Sequence, residues 1–393
     1  MRKRWNEFKK SIPPFFSWTY VNSVIVAVLI AIMFGNAFVN FSVFNPVKRC
    51  FDDFSMTDVY YQITNSETNK NISDKIVILD ITKQYKRGDI AKTINEVSAQ
   101  NPSLVVLDVI FEGIKDDFAG NDSLIEAVLR TRNLIADSKL IDYDVKKDCF
   151  NGICSSFFQT GIDIPYGYGN LVDNMEKCTI RKYSMAENLE NRQIYSLSTL
   201  TAYTYLKEKP VFAGHGVKSI DFTPMIFPIV SCDSIAENKE LLKNKIVIIG
   251  TSYEEADMHY TPLGKMSGVN LQAYMVQTQL NHTETTDMST WVSMLWGVIM
   301  CYMTIFINTW IRRSSFHLRS LATNFVDFLL MTFWGWLGFY CYNRFDYNIN
   351  LLYPLAGIGL AGTGLYWVNV VSMGRRGLRI HREKLKKTTQ EDE

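Results

Sequence analysis

The chain has 393 residues, room for two or three domains on length alone, and a formal net charge of +1. A balance this close to neutral argues against a surface built to hold nucleic acid or another polyanion. Its polarity is segregated: no charged residue occurs from Ser11 to Val47, from Met288 to Ile311 or from Tyr347 to Gly374, whereas residues 48–287 read like an ordinary soluble protein. Two solvents are implied.

Taken in chain order, residues 1–18 form a basic N-terminus with Arg2, Lys3, Arg4, Lys9 and Lys10. The apolar run at 19–39 is long enough to span, since a hydrocarbon core of roughly 30 Å needs about 20 apolar helical residues. That run exceeds the usual core of a signal peptide and lacks a small-x-small cleavage site after it, so a retained anchor is expected. Residues 48–287 then alternate buried-strand runs with helical spacing. Lys75–Ile81 and Leu104–Asp108 are short apolar runs of the strand type; Ile90–Val97 and Asn121–Arg130 carry apolar residues at helical intervals. Leu134–Ala136 is a brief strand, residues 138–215 are polar and irregular and read as an insertion or lid, Lys245–Gly250 is another strand, and Gly268–Leu280 closes with a helix. The expected fold is an α/β extracytoplasmic domain with a largely parallel sheet, plus four transmembrane helices. The remaining spans are 290–311, 325–342 and 351–373, before a basic tail at 374–393.

Orientation follows the basic residues. The loop after the second span holds Arg312, Arg313 and Arg319, and the tail holds Arg375, Arg376, Arg379, Arg382, Lys384, Lys386 and Lys387. The opposite short loop offers only Arg344, balanced by Asp346. The positive-inside rule therefore expects both termini in the cytoplasm and residues 48–287 outside. In the fourth span Gly357, Ala361 and Gly364 share one helix face, where small residues let helices approach closely. Packing within the three-helix cluster is the favoured reading, with a homodimer seam as the other. Asp327, one turn inside its span, is either a relay or pairing group or an acid that reaches water or Arg313.

Open parallel sheets place ligands beyond the carboxyl ends of their strands. Those ends carry Asp80, Asp108 and Thr251, with Asp257 shortly after, and these are the candidate ligand-binding residues. Oxygen ligands of this kind suit a hard cation or a hydroxylated or cationic ligand, while the plainer reading has the acids capping helices and bracing loops. Of seven cysteines, Cys149 and Cys154 flank four residues and would close a small disulfide loop in an oxidising compartment, with free thiols as the alternative. The Cys and His residues are too dispersed for a zinc site, and no catalytic motif, cofactor or metal is expected. Gly214–Ser219 lacks the glycine spacing of a phosphate loop, and no nucleophile elbow or His-Glu-x-x-His occurs.

Several blocks resemble the CHASE type-two domain, an extracellular sensory module of bacterial receptors. They are Ile76–Ile81, Arg87, Val105–Phe111, Asp122, Gly169-Asn170 with Asp173 and Arg181, Lys245–Thr251, Asp257, Thr261-Pro262-Leu263-Gly264 and Gly268-Val269. The resemblance spans about residues 50–373 and implies one helix before the sensor and three after. Thr82 stands where the family commonly has an acid, which weakens a metal site. About twenty residues follow Met373, too few for an output enzyme, so the expectation is a sensor that signals through a separate protein partner in membrane or cytoplasm. A structural or assembly component of an envelope complex is the competing reading. The basic tail also suits an anchor on anionic lipid of the bilayer.

Overall fold

The apolar runs sort into two bodies. The computed structural model describes residues 12–40, 56–65, 71–115, 117–171, 179–283, 285–313 and 319–391. One unit comprises Met1–Phe51 with Asp287–Glu393 and the other Asp52–Thr286.

In the first unit four helices are long and apolar enough to cross a membrane. They are α1 (Trp18–Asn40), α7 (Thr290–Arg313), α8 (Arg319–Phe345) and α9 (Leu352–Glu391). Ile25, Leu29, Met33, Leu295, Phe325, Phe328 and Tyr366 point outward and are exposed, while Ser23, Thr304 and Ala361 are buried between helices. Large apolar side chains outside and small or hydroxylated ones inside suit a lipid surround, where tails satisfy the exterior and close backbone approach holds the interior. A Cβ on Gly357 would meet the Gly297 carbonyl of α7, and one on Gly364 would meet the Ser23 carbonyl of α1. The small-residue face of α9 therefore seats the N-terminal span as well as α7, which widens the expected three-helix cluster to a bundle that includes α1. Ala361 lies in its centre with Tyr20, Val24, Ala27, Cys301 and Ile305. Asp327 accepts from Asn308 Nδ2 at 3.1 Å, a pairing across α7 and α8 rather than with Arg313.

The second unit is built on a nine-stranded sheet. Its elements in chain order are α2 (Met56–Asn65), β1 (Ile76–Asp80), α3 (Arg87–Ser98), β2 (Leu104–Leu107), α4 (Phe118–Arg130), β3 (Leu134–Asp144), β4 (Cys149–Ser155) and β5 (Tyr166–Tyr168). They continue with β6 (Ala186–Leu189), β7 (Arg192–Tyr195), α5 (Leu197–Leu206), β8 (Ile229–Ser231), β9 (Ile246–Gly250), β10 (Met258–Thr261), β11 (Gly264–Ser267) and α6 (Gly268–Asn281). The sheet runs β8-β1-β9-β2-β3-β4-β6-β7, with β5 also beside β3. From β8 to β3 every pairing is parallel. The continuous runs of β1, β2 and β9 are buried along their length because both faces are covered. Val77, Leu79, Val105, Leu107, Val247 and Ile249 pack with Ile94 and Val97 of α3 and Leu124 and Val128 of α4. On the other side α6 packs on β1 and β9, and α5 packs on α6. Each fully buried Val, Leu or Ile contributes roughly 1.5–3 kcal/mol.

The sheet is mixed, not largely parallel. β3 runs eleven residues, and its second half forms an antiparallel hairpin with β4. β6 and β7 add a second antiparallel pair. The segment read as irregular therefore folds into a flank with its own small core of Leu140, Phe150, Tyr168, Leu189 and Ile194. Its strands are short and mix polar with apolar residues in neither a continuous run nor a regular alternation, so the sequence alone gives them no strand signal.

The expected Cys149–Cys154 loop is corrected by the same hairpin. Both residues lie on β4, Cys149 opposite Asp144 and Cys154 opposite Lys139, and both thiols are free. Five residue steps along the strand set them about 16 Å apart, whereas a disulfide needs Cα atoms within about 7 Å. Cys50 and Cys178 lie outside the described residues.

Candidate functional site

A crevice of about 680 Å³ opens at the carboxyl ends of β9 and β2 and beside the middle of β3, where its parallel pairing ends. Its polar wall includes Asp108, Asp137, Thr251, Asp257, His259 and Gln272, and its apolar wall includes Ile180, Leu271 and Met275. Asp108 follows β2 directly, and its N–H donates to the Ile249 carbonyl of β9 at 2.9 Å. Gly250 at the end of β9 gives way to this approach, since a Cβ there would press on Val269 and Asp108. Asp257 precedes the β10–β11 hairpin and accepts from the Gly268 N–H, the first residue of α6, at 3.1 Å. A carboxylate there also meets the positive end of the helix dipole. His259 Nε2 lies 3.4 Å from Asp257 Oδ1.

Asp137 is the deepest acid, buried in β3 one residue beyond the run Leu134–Ala136. Its Oδ1 accepts from Ser138 N at 2.7 Å. A Cβ on Gly169 would overlap this carboxyl group, so glycine is what lets the 169 backbone close over it. Burial pushes the Asp137 carboxyl well above its ordinary value, and the negative charges of Asp108 and Asp257 add to the rise against the backbone N–H groups of Ser138 and Gly169. Burial also pushes Asp108 up, to about 7, with Asp257 reinforcing the shift and His259 opposing it. The two acids thus compete for charge in one low-dielectric recess.

Gln272, in the second turn of α6, is almost wholly buried. Its Nε2 donates to the Gly169 carbonyl at 3.1 Å, and its Oε1 has no partner among the described residues. A reversed amide would set oxygen against oxygen, so this bond fixes the orientation and leaves a carbonyl acceptor free.

Of the four candidates from the sequence, Asp108, Thr251 and Asp257 line the crevice together. Asp80 does not line it. Its Oδ1 accepts from Thr82 Oγ1 at 2.5 Å, Thr82 N at 3.2 Å and Ser252 N at 2.9 Å. Asp80 therefore braces the 251–253 loop, and Thr82 joins it by accepting from the same Ser252 N–H at 3.1 Å. Sequence reading missed Asp137 and Gln272. Asp137 carries the same signal as Asp80 and Asp108, an acid closing a buried run. Gln272 carries none, because an amide on a helix announces no particular partner.

A family model described as CHASE2 domain matches residues 24–309, most of the chain. The chain belongs to the CHASE2 domain family. Comparisons with curated proteins and with solved structures gave no match. The CHASE2 match starts within α1 and ends within α7, taking in all of the crevice. CHASE2 domains are extracellular sensory domains, and the CHASE2 blocks of this chain have visible structural roles. Arg87 is buried, donates to the Glu112 and Gly113 carbonyls at 2.9 and 2.8 Å, and stacks 4.5 Å over the Phe157 ring. Arg181 grips Asp58 of α2 with two bonds of 2.8 and 2.6 Å. Asn170 pairs with the Leu140 backbone as if it were a strand residue. Thr261–Gly264 makes the two-residue turn of the β10–β11 hairpin, where Gly264 takes φ +100°, a value an L side chain rarely adopts.

Proposed function

We propose that this protein is a membrane-anchored sensor whose α/β domain lies outside the cytoplasm and binds a small ligand in the crevice of Asp108, Asp137, Asp257 and Gln272. The observation that carries this reading is the pair of carboxyl groups, Asp108 and Asp137, held close in a desolvated recess that is open to a ligand. Like charges kept together at the mouth of a parallel sheet disfavour the empty ionised state, and such clusters concentrate at functional sites. The crevice is proposed as a binding site and not as a centre of catalysis.

The basic residues flanking the spans support an orientation with both termini in the cytoplasm of a bacterial cell and residues 48–287 outside its inner membrane. Signalling passes to a separate protein partner, and α9 offers a route, because the helix runs without a break from its apolar stretch, Leu352–Arg376, to Glu391. A homodimer would bring two such helices together.

The test is a thermal-shift screen of the full-length chain in lipid nanodiscs against pooled extracytoplasmic small molecules, with Asp137→Asn in parallel. A sensor shows a ligand-dependent rise in melting temperature that the variant loses. A chain that no pool shifts, and that co-purifies with a fixed partner whatever is added, is an assembly component instead.

A further inference from the structure

The chemistry of the crevice wall points to one class of ligand. The groups it offers are mainly acceptors: the carboxylates of Asp108, Asp137 and Asp257 and the Gln272 carbonyl. Asp257 already accepts from the first N–H of α6 and Asp137 from backbone N–H groups, which leaves each carboxylate with lone pairs to spare at the crevice it lines. Gln272 Oε1 is different in kind, being a buried acceptor with no donor among the described residues.

We propose that the ligand of this crevice is a small organic cation bearing an ammonium group, which donates to Gln272 Oε1 and to the carboxylates of Asp108 and Asp137. This rests on reading the crevice as the sensor's binding site and narrows what that site takes. An ammonium group has three donors and no acceptor, which matches a wall of one carbonyl and several carboxylates. An anion finds no suitable charge there. Lys139 stands at the rim with its side chain exposed, and its charge bears on the Cys154 thiol rather than on either buried acid. Glu254 adds a further negative group to the lining, and His259 is engaged with Asp257. A bare metal ion is a poorer fit, since no three acidic, His or Cys groups among the described residues converge closely enough to hold one. Ile180, Leu271 and Met275 supply an apolar wall for the stem of an alkylamine.

A proton linkage follows. A cation beside Asp108 and Asp137 favours their ionised forms, so binding expels protons, and affinity rises with pH through the range near 7 where Asp108 titrates.

The experiment is calorimetry and thermal shift on the full-length chain in nanodiscs with four probes: 1,4-diaminobutane, the neutral 1,4-butanediol, the dianion succinate, and magnesium ion. The expected result is binding of 1,4-diaminobutane alone, with protons released to the buffer. Gln272→Leu, which keeps bulk and removes the acceptor, weakens that binding at least tenfold, as does Asp137→Asn, whereas Gln272→Glu retains it. Binding of the diol or succinate that Gln272→Leu abolishes overturns the ligand class and leaves the crevice reading standing. Diamine binding undiminished in both Gln272→Leu and Asp137→Asn overturns both, because the amine then sits elsewhere. Magnesium that competes with the diamine, or failure of the diamine to bind, overturns the proposal.

Discussion

At the scale of single residues, ionisation dominates. Asp108 is an acid whose folded value is raised, so the folded state holds its proton more tightly than the unfolded chain does. Its contribution is therefore favourable below the unfolded value and declines as pH climbs from about 4 to about 7. Asp108→Asn should remove that decline and raise stability at pH 8 by about 1–2 kcal/mol, allowing for the solvent that reaches the side chain through the crevice. Chemical denaturation of parent and variant at pH 5 and pH 8 checks it: an equal difference at both pH values contradicts the assignment. His215 behaves with the opposite logic of charge. Its Nε2 bonds Asp148 at 3.0 Å and its Nδ1 lies 2.8 Å from the buried Glu187 without a hydrogen-bonding angle, so protonating the ring sets a positive charge between two acids. The bond to Asp148 leads the rise in its value, which burial opposes. That clamp is fully present below about pH 6.5 and is lost as pH rises through the raised folded value. His215→Gln should leave the pH 8 melting temperature near the parent's and lower the pH 5.5 value, as a melting series would show.

Among the elements, α9 and β4 make contrary points about local signals. The small residues of α9 announce close packing in the sequence, and in the structure they meet backbone rather than side chain. Neither Gly357 nor Gly364 tolerates a Cβ without moving a neighbouring helix, whereas Gly362 has open space. Gly364→Leu should therefore lower the melting temperature of the purified protein by several degrees while Gly362→Ala leaves it unchanged. Equal effects of the two would place the packing face elsewhere. On β4, spacing suggested a disulfide that strand geometry forbids. Thiol labelling under denaturing, non-reducing conditions followed by peptide mapping should find Cys149 and Cys154 both free, and a disulfide-linked peptide joining those two would contradict the hairpin register.

The whole molecule separates two solvents, and the prediction at this scale is topological. Tyr85 and Arg376 are both exposed. In an otherwise cysteine-free chain in intact cells, Tyr85→Cys should react with a membrane-impermeant maleimide supplied from outside. Arg376→Cys should react only after permeabilisation. The reverse pattern would turn the sensor inward and remove its access to an external ligand.

What the sequence by itself determined is what local composition encodes. Charge-free runs of about 20 residues specify spans, because desolvation of the backbone leaves helices as the available form. Continuous β-branched runs specify buried strands, and the acids closing those runs specify the mouth of the sheet. Asp108, Thr251 and Asp257 were legible in this way. Asp80 was legible by the same rule yet braces a loop, since which acid faces the crevice depends on what the next loop donates. The pairing of β3 with β4, the burial of Asp137 beneath Gly169 and the free carbonyl of Gln272 were decided only by the tertiary structure. The hairpin is local, but its register becomes visible only once both strands pair; Asp137 and Gly169 lie 32 residues apart, and Gln272 and Gly169 lie 103 apart. A side chain's hydrogen-bond balance exists only once its neighbours from elsewhere in the chain have arrived.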